Sequence, residues 1–252
     1  MCNLYELEFD IFGWAQAHED LVGRNLTLPG GVPFSQSNVD LSYPQFMYPD
    51  YRAPILRRGS GGADEVHFAR WGMPSPQFAL KQAAQKRAAA LDKKGQTYDF
   101  AELLRMEPDK GVTNLRNLES PHWRRWHAVE NRCAVPITAF SEPDQVGGSL
   151  KPVWFARPVE KPFAYFAGVW TEWAGVRKIK TGWETSDVYG FLTTEANEVV
   201  APYHSKAMPV FLTTPDEVET WLTAPWAEAV QLQRPLPADQ LSVISAPEKR
   251  AA

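Results

Sequence analysis

The second residue of the chain, Cys2, has the most distinctive chemistry in the sequence. It follows the initiator methionine directly, so removal of Met1 would leave a cysteine at the N-terminus. An N-terminal cysteine carries a thiol with a pKa of about 8.5 and an α-amine with a pKa of about 7.7–8.0, so part of each is deprotonated near neutral pH. Together these two nucleophiles condense with an aldehyde, first as an imine and then as a thiazolidine ring. The alternative is that cysteine occupies this position by chance.

Three polar side chains further along the chain have the chemistry to assist such a reaction. Asn114 lies in a polar segment and is either a turn former or a carboxamide that orients a reacting amine. Glu142 closes an apolar strand, where burial would raise its pKa and suit it to proton transfer, although a surface glutamate is the commoner case. The near-neutral pKa of His204 suits proton transfer or oxyanion support, and the alternative is a structural histidine.

Composition predicts a globular protein with a bulky core. The 252 residues carry a net charge of −4 and include ten Trp, eight Tyr and thirteen Phe. A large aromatic core is the favoured interpretation, and stacking platforms for bases or sugars are the alternative. A local basic groove on this acidic protein is still compatible with the clustering of its arginines, at Arg52, Arg57, Arg58 and Arg70 and at Arg116, Arg124, Arg125 and Arg132.

The two cysteines, Cys2 and Cys133, form neither a disulfide framework nor a metal-binding spacing. We therefore expect no metal and no cofactor, and we interpret Cys133, in an apolar run, as a buried small hydrophobe rather than a nucleophile. The sequence shows no signal peptide and no apolar stretch of membrane-spanning length. A cytoplasmic, monomeric protein without a membrane partner is the expectation.

Short strand-like segments outnumber helical ones and do not alternate with them regularly. This pattern predicts an α+β fold with a mainly antiparallel, barrel-like core and peripheral helices. The expected strands are residues 4–12, 51–56, 65–71, 132–140, 153–155, 163–170 and 188–194. The expected helices are residues 13–26, 79–91, 119–126 and 217–222, the last with Thr214 as N-cap and Pro215 at the first helical position.

The predicted domain covers residues 1–234, followed by a C-terminal tail at residues 235–252. Within the domain, residues 79–112 are predicted to form a peripheral helical insertion. Its helix carries a run of basic side chains, for which a solvated helix face is the favoured interpretation and a nucleic-acid site the alternative. The basic residues are Lys81, Lys86, Arg87, Lys93 and Lys94.

Taken in order, several short motifs resemble one known family. They are Met1-Cys2-Asn3-Leu4-Tyr5, Arg70-Trp71-Gly72-Met73-Pro74, Thr113-Asn114-Leu115-Arg116, Arg132-Cys133-Ala134-Val135-Pro136 with Phe140-Ser141-Glu142, Phe166-Ala167-Gly168-Val169-Trp170, Leu192-Thr193-Thr194-Glu195-Ala196-Asn197, and His204 with Met208-Pro209. Each motif alone is weak, but together they are similar to the SOS response-associated peptidase (SRAP) family over residues 1 to about 212.

The resemblance implies a sensor of abasic sites in single-stranded DNA that acts in the DNA damage response. Cys2, exposed by autoproteolytic loss of Met1, would form a thiazolidine crosslink with the opened sugar, with lyase-like chemistry as a related activity. Asn114 would position the N-terminal residue, Glu142 would transfer protons and His204 would stabilise the opened sugar. The protein would be cytoplasmic and associate with the nucleoid on binding DNA. The implied DNA contacts are Arg70, Trp71, Arg116, Thr193, Thr194 and Lys206.

Three positions depart from the common pattern of the family. Asn3-Leu4 stand where Gly-Arg is frequent, which removes an arginine next to Cys2. Ser141 and Pro143 flank Glu142 in place of an aromatic pair. The motif that begins at His204 is one residue longer than usual, and Lys206 replaces the charge of an arginine but not its bidentate geometry.

Two other functions are compatible with the same residues. A cysteine peptidase acting on other proteins would use Cys2 and His204 as a catalytic dyad. A non-covalent binder of single-stranded DNA would use Trp71 and the arginines, without a role for the thiol.

Overall fold

The computed structural model describes residues 2–59 and 61–249, which form strands and helices in the following order. The strands are β1 (Leu4–Glu6), β2 (Leu26–Thr27), β3 (Phe46–Met47), β4 (Arg52–Arg58), β5 (Asp64–Trp71), β6 (Asn114–Leu115), β7 (Arg132–Ile137), β8 (Ala139–Pro143), β9 (Pro152–Ala156), β10 (Ala164–Val176), β11 (Trp183–Thr194), β12 (Met208–Pro209), β13 (Phe211–Leu212) and β14 (Ser242–Ile244). The helices are α1 (Ile11–Val22), α2 (Gln77–Asp92), α3 (Phe100–Arg105), α4 (Pro121–Arg124), α5 (Pro215–Thr223) and α6 (Trp226–Ala229).

A closed barrel of five strands lies at the centre of the fold. Its strands follow the order β5, β4, β7, β10 and β11, with antiparallel neighbours. A parallel pairing of β11 with β5, through Val188 with Arg70 and Tyr189 with Trp71, closes the circle. Closure pairs every barrel strand on both sides, so that no barrel edge is left open. The expected α+β fold with a mainly antiparallel, barrel-like core is confirmed.

A second, five-stranded sheet carries the N-terminal segment. Its order is β14-β9-β8-β1-β3, and β1 pairs antiparallel with β8 through Leu4 with Ser141 and Tyr5 with Phe140. The predicted single strand at 132–140 is therefore wrong. It divides at Thr138 into β7 of the barrel and β8 of the second sheet. Thr138 stabilises this division, because its backbone N–H donates to the carbonyl of Glu6 at 2.9 Å and its hydroxyl accepts from the N–H of Glu8 at 3.1 Å.

The N-terminal region also differs from its predicted boundaries. The strand expected at 4–12 ends at Glu6, and helix α1 begins at Ile11 rather than at residue 13. Asp10 fixes that start, since its carboxylate accepts a hydrogen bond of 2.8 Å from the N–H of Gly13. Gly23, with φ of 75°, ends the helix in the left-handed conformation that glycine adopts without strain.

The inserted segment begins and ends a few residues earlier than the predicted range of 79–112. Helices α2 and α3 pack on each other, and the ends of the segment meet where the carboxylate of Asp109 accepts from the N–H and hydroxyl of Ser75, at 2.9 and 2.5 Å. Beyond that point the chain rejoins the domain, because Val112 and Met73 exchange backbone hydrogen bonds of 2.7 and 2.9 Å. The inserted segment is therefore residues 76–108.

The C-terminal tail does not begin at residue 235. Strand β14 pairs antiparallel with β9, and Leu236 and Leu241 are buried. Residues 236–244 are thus part of the domain. In the described part of the chain, no helix has both the length and the apolar character needed to span a membrane.

Aromatic side chains fill the interior, in agreement with the favoured interpretation of the composition. One of two buried clusters packs between the barrel and the second sheet and surrounds Cys2. It includes Tyr5, Trp71, Phe166 and Phe191, whose rings contact one another at centroid distances of 4.8–6.3 Å. Cys2 and Tyr5 are therefore held inside the hydrophobic core.

Candidate active site

Four side chains predicted to act together lie at the junction of the two sheets. Cys2 precedes β1, Glu142 lies in the adjacent β8, and His204 lies in the turn between β11 and β12. Asn114 lies in β6, which pairs parallel with β11 through Phe191. The exposed fractions are 0% for Cys2, 6% for Asn114, 0% for Glu142 and 1% for His204. The site is buried and polar in an apolar surrounding, which is where pKa values are shifted most.

Asn114 contacts the residue that we expect to react. Its side-chain Nδ2 donates to the carbonyl oxygen of Cys2 at 2.7 Å and to the hydroxyl of Thr113 at 2.7 Å. The Thr113 carbonyl in turn accepts from the indole Nε1 of Trp71 at 3.0 Å. Both hydrogens of the Asn114 amide are thus used, which fixes the orientation of its carboxamide.

Glu142 and His204 form a pair with shifted pKa values. Oε2 of Glu142 lies 3.8 Å from Nε2 of His204. Burial raises the pKa of the Glu142 carboxyl to about 7. Burial lowers the pKa of His204 below its usual range, and the ammonium of Lys206 contributes in the same direction. Near neutral pH the site therefore contains a neutral imidazole beside a carboxyl that still holds its proton in part of the molecules.

The thiol of Cys2 is protonated in this environment. Burial raises its pKa well above the usual range, and the negative charge of Glu142 adds to the effect. The thiol contacts the carbonyl of Leu4 at 3.5 Å. A thiolate–imidazolium pair requires the opposite shift, because a nearby positive charge lowers the thiol pKa. Cys133 is fully buried, as predicted, and burial raises its pKa as well.

Comparison with known proteins identifies the family. A sequence model of the SOS response associated peptidase (SRAP) family matches residues 30–249, which include Asn114, Glu142 and His204. The chain belongs to this family. Cys2 precedes the matched range, so its assignment rests on the geometry above. Among curated protein sequences, none matches the chain.

Solved structures share the SRAP fold of this chain at low sequence identity. A protein from Bordetella bronchiseptica aligns with a TM-score of 0.62 and 21% identity, over 97% of this chain and 100% of that one. A protein from Bacteroides thetaiotaomicron aligns with a TM-score of 0.62 and 23% identity, over 97% and 92%. A phage-related protein from Bordetella bronchiseptica aligns with a TM-score of 0.57 and 14% identity, over 98% and 95%.

Trp71 has a different role from the one expected in this SRAP chain. Its side chain is 1% exposed, and its ring stacks on Phe191 at 5.1 Å and meets Tyr5 edge-on at 5.2 Å. A buried indole presents no free face to a base. Trp71 holds the Thr113-Asn114 segment in place through its N–H, and contact between its ring and DNA stays a prediction.

The side chain of Arg70 does not lie beside Cys2, Asn114, Glu142 and His204. Successive side chains of a strand point to opposite faces, and Trp71 occupies the face toward Cys2. The guanidinium of Arg70 instead pairs with Asp50 at 3.0 Å and Glu184 at 2.9 Å. Thr193 and Thr194, at the end of β11, are 1% and 2% exposed, and the hydroxyl of Thr193 donates to the carbonyl of Leu115 at 3.4 Å. These three residues are poorly placed to contact a phosphate directly.

Two cations expected to contact DNA are exposed beside the site. The side chain of Arg116, two residues after Asn114, is 47% exposed and lies 3.6 Å from Glu195. Lys206, two residues after His204, is exposed, and its charge acts on the imidazole of that residue. Contact between either side chain and DNA stays a prediction.

Two features of the site have no predicted counterpart in the sequence. Thr113 supplies an acceptor for Asn114 and a carbonyl for Trp71. The hydroxyls of Tyr5 and Tyr189 lie 2.5 Å apart beneath Cys2, in the same buried cluster. Neither has a periodic or compositional signal, although Tyr5 and Thr113 each stand within one of the motifs quoted above. Over residues 2–59 and 61–249, no group of three His, Cys, Asp or Glu side chains is arranged to hold a metal ion.

Proposed function

We propose that this protein, once Met1 is removed, captures abasic sites in single-stranded DNA as a covalent thiazolidine between Cys2 and the opened sugar. The contact of 2.7 Å between Asn114 Nδ2 and the Cys2 carbonyl carries the proposal. A mobile terminus would not make this contact, so the contact supports the proposal that residue 2 is held in position to react. The proposal also has the support of membership in a family named for the SOS response.

Opening of the sugar ring needs an acid and a base at the same time, because the abasic sugar is mostly a cyclic hemiacetal. The neutral imidazole of His204 accepts the hemiacetal proton. The protonated carboxyl of Glu142 donates to the ring oxygen. The raised pKa of Glu142, about 7, and the lowered pKa of His204 favour these two protonation states near neutral pH.

The α-amine of Cys2 then attacks the aldehyde carbon. A carbon–nitrogen bond forms, and loss of one water gives an imine. The thiol adds across the imine carbon, its proton moves by way of the Glu142 carboxylate to the nitrogen, and the five-membered ring closes. No oxidant or reductant is consumed. The imine is also the species that undergoes strand cleavage by β-elimination, so fast ring closure favours the crosslink over lyase products.

A single strand that lacks a base suits this site. The sugar turns out of the strand at little cost, since no base has to be unstacked. Arg116 and Lys206 supply positive charge at the two segments that carry Asn114 and His204. Cations that track the phosphate backbone are the general requirement for binding single strands.

A peptidase acting on other proteins is the less favoured function. A Cys–His dyad needs an imidazole that takes the proton of the thiol. In this site Nδ1 of His204 lies 3.2 Å from the carbonyl of Ala207, and Nε2 faces Glu142. The raised thiol pKa of Cys2 also opposes a thiolate nucleophile.

Removal of Met1 belongs to the proposal as a self-catalysed hydrolysis of the Met1–Cys2 peptide bond, in which one water adds to the carbonyl carbon and Glu142 gives a proton to the departing amine of Cys2. The intact mass of the purified wild type is then that of the chain without Met1, and Glu142→Ala retains Met1. Loss of Met1 from both proteins would instead assign the step to a methionine aminopeptidase, which accepts a small second residue.

The test is incubation with a single-stranded oligonucleotide that contains one abasic site. We expect a band that resists denaturation, absent with Cys2→Ala and slower to form with Glu142→Gln. Cys133→Ala, the matched cysteine control, should still give the band. Cleavage of unrelated peptides without a crosslink would favour the peptidase, and salt-sensitive binding that survives Cys2→Ala without a crosslink would favour a non-covalent binder.

A further inference from the structure

A cavity of about 470 Å³ lies between the inserted segment 76–108 and the outside of the barrel. Its apolar lining includes Leu80 from α2, Leu104 from α3, and three tryptophans, Trp126, Trp173 and Trp183. Ligand pockets for small planar groups have volumes in this range. None of these residues belongs to the site around Cys2, so the cavity is a separate feature of the molecule.

The indole rings of this cavity are paired with guanidinium groups. Arg105 lies over Trp183 at 5.5 Å, and Arg125 lies over Trp126 at 4.9 Å. Trp183 is 50% exposed at the cavity mouth, an unusual position for so large an apolar ring. The guanidinium of Arg177 lies over Trp173 at 4.3 Å. Because each of the three indole rings already has a cation over it, an organic cation would gain little by binding there. An uncharged planar ring remains the better match.

Positive charge lies beside the cavity on α2, whereas the lining itself carries both signs, with Arg105 and Arg125 against Glu107, Asp109 and Glu172. Residues 77–94 contain five basic and one acidic side chain, a net charge of +4 in a chain whose total is −4. Lys81 follows Gln77, which lines the cavity, by one helical turn and so lies on the same face of α2. The buried Glu107 carboxylate of the cavity wall lies 3.3 Å from Arg87, which neutralises its charge. Aromatic rings with interspersed cations are the combination that holds single strands.

We propose that this cavity binds a base of the DNA strand that flanks the abasic site, with the base stacked on Trp183. The inference rests on the proposed function, because it needs single-stranded DNA at the site of Cys2. The inserted segment then has a function in DNA binding, because α2 and α3 form one wall of the cavity that contacts the strand a second time. The interpretation of the basic face of α2 is thereby revised from a solvated surface to a backbone contact.

The distance between the two sites sets the length of DNA required. Trp183 lies eight residues before Phe191 on β11, and Phe191 pairs with Asn114. At about 3.3 Å per residue, the two sites are separated by roughly 26 Å along the strand. A short oligonucleotide therefore reaches only the site of Cys2, whereas a longer one reaches both.

The experiment measures the dissociation constants of fluorescent single strands of about 4 and about 16 nucleotides, a range that brackets known site sizes. Cys2→Ala is the parent, so that only non-covalent binding is observed. Adding Trp183→Ala should weaken binding of the longer strand on the order of tenfold and leave the shorter one unchanged. Phe12→Ala, which removes a ring that is 61% exposed on α1, is the matched control and should change neither constant.

An unchanged dissociation constant for the longer strand in the Trp183→Ala protein would overturn the inference. An equal loss of affinity for the two strand lengths would also overturn it. Quenching of tryptophan fluorescence by tetramethylammonium, abolished by Trp183→Ala, would overturn it in favour of a small-cation site. Failure of the proposed function has a different signature. Wild-type protein would then give no crosslink to an abasic strand of about 4 nucleotides, whatever the result with Trp183→Ala.

Discussion

The side-chain amide of Asn114 donates a hydrogen bond of 2.7 Å to the carbonyl oxygen of Cys2. These residues are 112 positions apart, and the bond joins the barrel to the N-terminal segment. Because the N-terminus of a chain is ordinarily mobile, a buried contact of this kind is a sign that the position of residue 2 matters. The hydrogen bond therefore fixes the backbone of residue 2, which the proposed reaction at Cys2 requires.

Asn114→Asp removes the donor and places a carboxylate against the carbonyl of Cys2. We expect the crosslinking rate to fall on the order of 100-fold, since misplacement of a reactant by about 1 Å has effects of that size. Non-covalent DNA affinity should change little. Single-turnover crosslinking measures the rate, with Asn117→Asp at an exposed neighbouring position as the control. An equal loss in the two proteins would exclude a specific role for Asn114.

Glu142→Gln should stabilise the protein at high pH. The pKa of Glu142 is about 7 in the folded protein and about 4.3 when unfolded, so the folded state holds the proton more tightly. The resulting stability is present below pH 4.3 and is lost as the pH rises through 7. The free energy of unfolding of Glu142→Gln, relative to wild type, should therefore increase by about 3 kcal/mol between pH 4 and pH 8.

Urea unfolding at several pH values measures this difference. Glu160→Gln, at an exposed glutamate, serves as the control and should show no such trend. A difference between Glu142→Gln and wild type that does not vary with pH would mean that the Glu142 carboxyl titrates normally, and it would remove the acid from the ring-opening step.

Trp71→Phe separates a structural role from a DNA contact. The substitution keeps an aromatic ring against Phe191 and removes the N–H that donates to the Thr113 carbonyl. We expect a loss of about 1 kcal/mol in the free energy of unfolding and slower crosslinking, with unchanged non-covalent DNA affinity. A weakening of DNA binding without a change in stability would restore Trp71 as a stacking residue.

Arg116→Gln tests the phosphate contact beside Asn114. The guanidinium is exposed, so its removal should leave stability unchanged. The slope of log affinity against log salt should become shallower by about 0.7, the value for one phosphate contact with a single strand. Lys161→Gln, at an exposed lysine with no predicted DNA contact, should keep the wild-type slope. Equal slopes for all three proteins would leave Arg116 without a role in binding.

The barrel could be predicted because apolar strands leave local signals, whereas Cys2, Asn114, Glu142 and His204 were grouped through the family resemblance, and the structure places them close together. Boundaries were less accurate where a tertiary contact decides them. The run at 132–140 is apolar throughout, and only the hydrogen bonds of Thr138 to the N-terminal segment reveal that it divides. Strand β14 was missed for the same reason, since its pairing with β9 is distant in sequence.

Burial decides which of the expected DNA contacts are accessible, and the sequence does not show it. Trp71 and Arg70 are neighbours in one motif, yet strand alternation sends the indole into the core and the guanidinium to the other face. A motif shows which residues occur together and not which of them reach solvent. The cavity between the insertion and the barrel was also beyond prediction, because its three tryptophans come from separate elements.

The intact mass of the product formed with a synthetic abasic oligonucleotide shows whether Cys2 captures the opened sugar as a thiazolidine. We expect one adduct, with the mass of the chain without Met1 plus the DNA minus one water, stable without added reductant. Borohydride should neither be required for the adduct nor change its mass, since a thiazolidine has no imine to reduce. An adduct that still contains Met1, one that forms with Cys2→Ala, or no adduct at all would contradict it.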